Sequence, residues 1–276
     1  MPGSAGSRLT RYGLRLAALG YVAVLLLAPL ALVVWNTFQD GFGAAWEAVT
    51  APAALHALGL TILITMIAVP LNTIFGVTAA LILVRRRVPG RPVVSALIDL
   101  PLALSPVVVG LAILLVWGRN GWFGPTAESL GVQVIFAVPG MVLATVFICL
   151  PFVVREVVPV LREIGTEQEE AAATLGAGPA QTLWRITLPA IRWGIVYGVV
   201  LTTARALGEY GAVRVVSGGI AGRTETLTLH VEERFQAFDH VAAYGSSVVL
   251  AILALLVVLL MNVLNRKGGG HGHHGL

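Results

Sequence analysis

Charge is what this sequence lacks most. Only 12% of its 276 residues are charged, about half the share usual in soluble domains, while 57% are apolar. Such a chain cannot cover a globular surface with polar groups, which excludes a soluble globular fold and points to a membrane protein. Lysine is nearly absent too: the one lysine, Lys267, follows Arg266. A phosphate-binding P-loop needs Gly-x-x-x-x-Gly-Lys-Ser/Thr, so ATP hydrolysis is excluded from this chain. Cysteine occurs once, as Cys149 inside an apolar run. It can form no internal disulfide, favours no zinc site and reads as a small buried hydrophobe. A serine-nucleophile elbow is missing, and no two histidines stand at helical zinc-ligand spacing. Nothing here reads as an enzyme, and no cofactor is expected in the chain. The formal net charge of +4 comes largely from arginines flanking apolar runs. The basic balance therefore concerns lipid headgroups and topology, not nucleic acid.

What the chain does contain is long apolar runs. Six stretches can span about 30 Å of hydrocarbon: residues 16–38, 55–84, 93–117, 132–154, 193–209 and 241–264. Residues 1–15 precede them as a short N-terminal segment, and 265–276 form a Gly- and His-rich tail. The first run is too long for a signal peptide and ends in no small-x-small site, so it reads as an uncleaved anchor. Pro70 predicts a kink in the second run, and Pro139 and Pro151 interrupt the fourth. Asp99, followed by Pro101, reads as an N-cap for a helix from about Leu100, with an ion-pathway role as the alternative. In the fifth run Arg205 and Glu209 stand four apart on one helical face. They read either as a structural ion pair or as groups that help an anion pass and gate its route. His271, His273 and His274 could hold a metal weakly, but the surrounding glycines read as a disordered tail.

Thirteen of the eighteen basic residues fall on one side of this six-span arrangement. They precede the first run, join the second to the third (Arg85, Arg86, Arg87, Arg91), lie in 155–192 and close the chain. Positive residues stay cytoplasmic, which puts both termini and the 155–192 loop inside. Trp35, Trp46, Trp117 and Trp122 then belong to the outer interface, Trp184 and Trp193 to the inner one.

That inner loop carries the most specific pattern: Glu170-Ala171-Ala172, three residues, Gly176, nine residues, then Ile186-Thr187-Leu188-Pro189. Thr166 and Glu169 have capping-box spacing, predicting a helix from about Glu167. Gly176 suits a left-handed stop, and Gly178-Pro179 restarts a second helix. Leu183, Trp184 and Leu188 give that second helix an apolar side. Small alanines allow close approach of a partner and Glu170 adds one fixed charge, so the loop reads as a docking knob.

This spacing resembles the signature loop of bacterial ABC-importer permeases at every position. The resemblance implies an all-α membrane protein with six transmembrane helices, in the type I ABC importer (MetI-like) permease fold. Its cytoplasmic coupling helix would seat in a separate ATPase. Glu170, Ala171, Ala172, Gly176, Ile186, Leu188 and Pro189 would be the coupling residues. Ala204-Arg205-Ala206-Leu207-Gly208-Glu209-Tyr210-Gly211-Ala212 is similar to a segment shared by sulfate and molybdate permeases. The stretches 97–101, 105–111, 215–222 and 229–232 are nearer to the W-type sulfate subunits, with Thr228 standing where a proline is expected. The family's partners would be CysA-like ATPase subunits, which hold ATP and Mg, a CysT-like second permease and an extracytoplasmic sulfate-binding protein. Sulfate or thiosulfate would cross the bacterial plasma membrane between the two permeases. Arg205 and Glu209, with the Ser217-Gly218-Gly219 turn as a cluster of backbone donors, are the candidate anion pathway or gate. A molybdate or tungstate permease, and an ion-coupled secondary anion transporter, are the alternatives.

Overall fold

The computed structural model describes residues 5–86 and 89–268, and every element among them is helical. In chain order they are α1 (Ala5–Phe38), α2 (Phe42–Thr50), α3 (Pro52–Arg85), α4 (Arg91–Ala103), α5 (Pro106–Trp117), α6 (Gly124–Ser129) and α7 (Val138–Glu163). Then follow α8 (Glu167–Thr174), α9 (Pro179–Thr182), a π-turn (Leu183–Thr187), α10 (Leu188–Ala190) and α11 (Arg192–Leu207). Last come α12 (Gly211–Ser217), α13 (Leu227–Gln236) and α14 (His240–Gly268). Four helices, α1, α3, α7 and α14, are long and apolar enough to cross a membrane unbroken. Six spans result if α4 with α5, and α9–α10 with α11, each count as one, although these pairs bend by 109° and 67°.

Helix α7 is the axis of the packing. Its Met141, Ala144 and Ile148 meet Leu60 and Ile64 of α3, Val109 of α5 and Val213 and Val216 of α12. Further along, Val153, Val157 and Leu161 meet Ala80 of α3 and Ile191. Lipid tails are as apolar as these side chains, so burial alone does not hold such helices together; close contact and small residues must. Val153 shows how. A Cβ on Gly76 of α3 would fall 2.5 Å from Val153 Cβ, and one on Gly198 of α11 would fall 2.8 Å from Val153 Cα. Gly194, one turn before Gly198, is less crowded: a Cβ there would fall 3.1 Å from Glu156 O and 3.2 Å from Val160 Cγ2. The Gly194-x-x-x-Gly198 face of α11 thus lets α7 approach backbone to backbone. By contrast α1 exposes most of its described apolar side chains and rests chiefly on α14, with a smaller contact to α2.

Three expectations change. Asp99 is not an N-cap: it lies inside α4, and its Oδ1 accepts from Arg155 Nε at 2.9 Å. The partner that explains it sits 56 residues away. The stretch 93–117 is not a straight span, because Ser105 precedes Pro106 in an extended conformation and a new helix starts at that proline, without a side-chain capping bond. The fourth span starts at Val138, where Pro139 occupies the first turn without interrupting anything, and continues through Pro151 and Pro159 to Glu163. The 155–192 loop therefore begins with two more helical turns. Helix α3 runs on through Pro70. The histidines of the tail lie outside the described residues.

Candidate functional site

The signature stretch folds into a hairpin at the arginine-rich end of the bundle. Helix α8 starts at Glu167 as its sequence predicts, but by different contacts: Thr166 Oγ1 donates to Glu170 Oε1 at 2.6 Å, and the Thr166 side chain makes no capping bond. Its end follows the expected chemistry. Gly176 has φ +85, its N–H reaches Ala173 O at 3.0 Å, and the Ala177 N–H reaches Ala172 O at 3.0 Å. This paired closure is a Schellman motif, which needs the left-handed residue that glycine supplies. Pro179 opens the second arm. Of its apolar side, Leu183 and Leu188 are half-buried, whereas Trp184 is 71% exposed. Leu175, on the hairpin's tip, is 89% exposed, more than any other large apolar side chain described. Glu170 and Ala171 are exposed and Ala172 is buried. Ile186 and Leu188 are half-buried and Pro189 is exposed. The hairpin presents one bare surface of small, acidic and large apolar groups.

Its other surface is tied down. Arg85, at the end of α3, places Nε 3.0 Å from Glu169 Oε2. Its Nη1 and Nη2 donate to Leu161 O at 3.0 Å and Gly165 O at 2.6 Å. Glu169 Oε1 also accepts from Thr187 Oγ1 at 2.9 Å. A cleft of about 380 Å³ opens beside these groups, lined by Arg86, Ala173, Pro179 and Leu183 among others. Sequence reading missed Arg85, Glu169 and Thr187 as a set. The arginine cluster was visible, but nothing local says which arginine turns inward.

At the far end of α11, Arg205 Nη1 approaches Glu209 Oε2 to 2.6 Å, too far off line for a good hydrogen bond to that oxygen. Glu209 Oε1 accepts from the Ala212 N–H at 2.9 Å. The Glu209 side chain is 1% exposed and that of Arg205 32%, so one partner is buried and the other reaches open space. Thr228 Oγ1 donates to Glu209 O at 2.9 Å from the first turn of α13. Proline fits that turn without strain, so threonine there leaves the backbone as expected and adds a tie between helices. The Ser217-Gly218-Gly219 turn closes α12, with Ser217 as the last helical residue. Gly218 has φ +67 and packs under the Phe136 ring, and a Cβ on Gly219 would strike Arg214 Nη1. The Gly219 N–H already donates to Ser217 Oγ at 3.1 Å, so part of this turn's donor capacity is used internally. Arg214 itself pairs with Glu232 at 3.2 Å.

Next to these elements Glu225 and His230 form a buried pair, Oε1 to Nδ1 at 2.9 Å. Burial, and a hydrogen bond with Glu233, push the Glu225 carboxyl above its ordinary range against the opposing pull of His230. One turn inward from the Val153 layer, Asn72 is fully buried with neither amide atom partnered. Among the described residues no three His, Cys, Asp or Glu side chains converge as metal ligands.

Residues 72–267 match the family described as binding-protein-dependent transport system inner membrane component. The sulfate transport system permease protein CysW of Synechocystis sp. is 49% identical over 261 residues, covering 95% of each chain. CysW of Escherichia coli K12 is 43% identical, covering 88% of this chain and 83% of the relative. CysT of the same organism is 38% identical, covering 90% of both. Among solved structures, a bacterial ABC transporter that imports alginate superposes with a TM-score of 0.78 at 17% identity, over 95% of this chain and 97% of the other. The MetNI methionine ABC transporter superposes at 0.59, over 78% and 95%. At that identity these two speak for the fold, a type I ABC importer permease.

Proposed function

The chain belongs to the family of binding-protein-dependent transport system inner membrane components, and we propose that it is the permease subunit of an ATP-driven sulfate importer. The observation that carries this is the 170–189 hairpin, which leaves Leu175 and Trp184 bare at the arginine-rich end while its inner face is fixed to α3. An apolar tip of this kind, on a polar loop, is a surface made for a protein partner. The partner supported best is an ATPase subunit, since this chain has no P-loop. The names of the CysW and CysT relatives support sulfate as the cargo and a T-type permease as the second half of the pore. An extracytoplasmic sulfate-binding protein would deliver it.

In this reading both termini and the hairpin are cytoplasmic in a bacterial plasma membrane. ATP closes the ATPase dimer, the two hairpins approach each other, and the spans rock to open outward. Hydrolysis returns them. Arg205, poised between the buried Glu209 and open space, would meet the anion as the route opens, with the 217–219 turn nearby. A dianion needs fixed donors along a wet path, and a half-paired guanidinium supplies them without a fully buried free charge. The test is radiolabelled sulfate uptake into proteoliposomes holding this chain, a T-type permease, the ATPase and the binding protein. Uptake should require ATP and each of the four proteins. Sulfate entry with the ATPase omitted would overturn the proposal in favour of ion-coupled transport.

A further inference from the structure

We infer that Arg85, Glu169 and Thr187 form a latch through which movement of the hairpin is passed to α3 and α7, with Glu169 as its positioning residue. This rests on the functional reading above, in which the hairpin is the part that a motor subunit moves. Helix α8 has eight residues and buries only Ala172. A helix so short is not stable by itself and cannot hold its own orientation, so whatever ties it to the bundle decides whether it moves the spans or merely swivels.

The ties converge on one carboxylate. Glu169 takes Arg85 Nε from the end of α3, at 3.0 Å and 3.2 Å to its two oxygens, and Thr187 Oγ1 from the π-turn at 2.9 Å. The same guanidinium donates to Leu161 O, one of the carbonyls that the end of α7 leaves unsatisfied, and to Gly165 O in the α7–α8 turn. Three elements that must move together therefore share one arginine and one glutamate. The groups are enclosed: Arg85 and Glu169 side chains are 15% and 21% exposed, and Thr187 is buried. That distinguishes them from a solvated surface pair, which contributes little. Glu169 also differs from its neighbour. Glu170 lies exposed on the bare face with Thr166 as its hydrogen-bonding partner, so the adjacent carboxylates divide the work, one toward the partner and one toward the spans.

The complete importer in proteoliposomes separates these roles by three readouts: ATPase retained on purification, ATP hydrolysed, and sulfate imported per ATP. Glu169→Ala should keep the ATPase and its hydrolysis while import per ATP falls about tenfold, within the roughly 5–150-fold range typical of coupling between sites. Glu169→Gln and Thr187→Val, which preserve packing, should lower the same ratio by smaller factors, and they keep the test open if the alanine variant assembles poorly. Glu170→Ala should instead weaken ATPase retention. An unchanged import-to-ATP ratio in Glu169→Ala and Glu169→Gln would overturn the latch, as would loss of the ATPase from both. Failure of the unmodified chain to retain any ATPase would refute the functional reading itself, and the latch with it.

Discussion

Two arginine–glutamate pairs, one beside the middle of α7 and one at its end, are built on opposite plans. Arg205 and Glu209 are four residues apart on one stretch of chain, and only the glutamate is buried. Arg85 and Glu169 are 84 residues apart, both are largely enclosed, and two backbone carbonyls and a threonine complete the set. The first pair belongs to one local segment and leaves a cation facing open space, which suits a group that must release its partner when an anion arrives. The second is a junction of separate elements, which suits a group that must not let go. Local charge pairing offers adaptability, and long-range pairing offers rigidity.

The comparison breaks most severely at Arg205. Arg205→Ala leaves the buried Glu209 carboxylate with a single backbone donor, and it should cost about 3 kcal/mol, at the low end for a buried pair because Arg205 keeps 32% exposure. Thermal unfolding of the detergent-purified protein should show the drop, and the double variant Arg205→Ala with Glu209→Ala should be more stable than the single one. A double variant as unstable as the single would mean that the pair is not the source of the loss.

The hairpin offers a finer contrast. Gly176 and Gly178 both have open space where a Cβ would go, but only Gly176 has a left-handed φ, +85. Gly176→Val should therefore cost about 1–2 kcal/mol through backbone strain and lower sulfate import with it. Gly178→Ala, at φ −72, should change stability by less than about 0.5 kcal/mol. Equal effects at the two positions would show that crowding in a complex matters and not conformation.

The smallest effect concerns the buried Glu225–His230 pair. The Glu225 carboxyl titrates above its ordinary range in the folded chain, so its contribution to stability is complete below its unfolded pKa and is lost as pH rises through the folded one. Glu225→Gln removes that titration. Melting temperature measured from acid toward neutral pH should fall less steeply in the variant than in the parent. Identical slopes would place the source of the pH dependence elsewhere.

Much of this architecture can be read locally. Gly176 and Pro179 specify the hairpin because their backbone restrictions act within a few residues, and the apolar runs fix α1, α3, α7 and α14 for the same reason. What depends on distant neighbours escapes such reading. Asp99 looks like a cap until Arg155 is brought to it, and Glu169 looks like half of a capping box until Arg85 claims it. The bend after Ala103 lies between these cases: Ser105-Pro106 is a helix-start signal in plain sight, masked by the continuous apolar run around it. Gly76 and Gly198 acquire meaning only once Val153 stands between them.

The central claim is that the hairpin tip docks on a separate nucleotide-binding subunit, and Leu175, 89% exposed, is the place to ask. A photo-cross-linking residue installed there, in membranes containing the whole importer, should capture the ATPase subunit and little else. Capture of lipid or of the extracytoplasmic binding protein, with no ATPase adduct, would contradict the account.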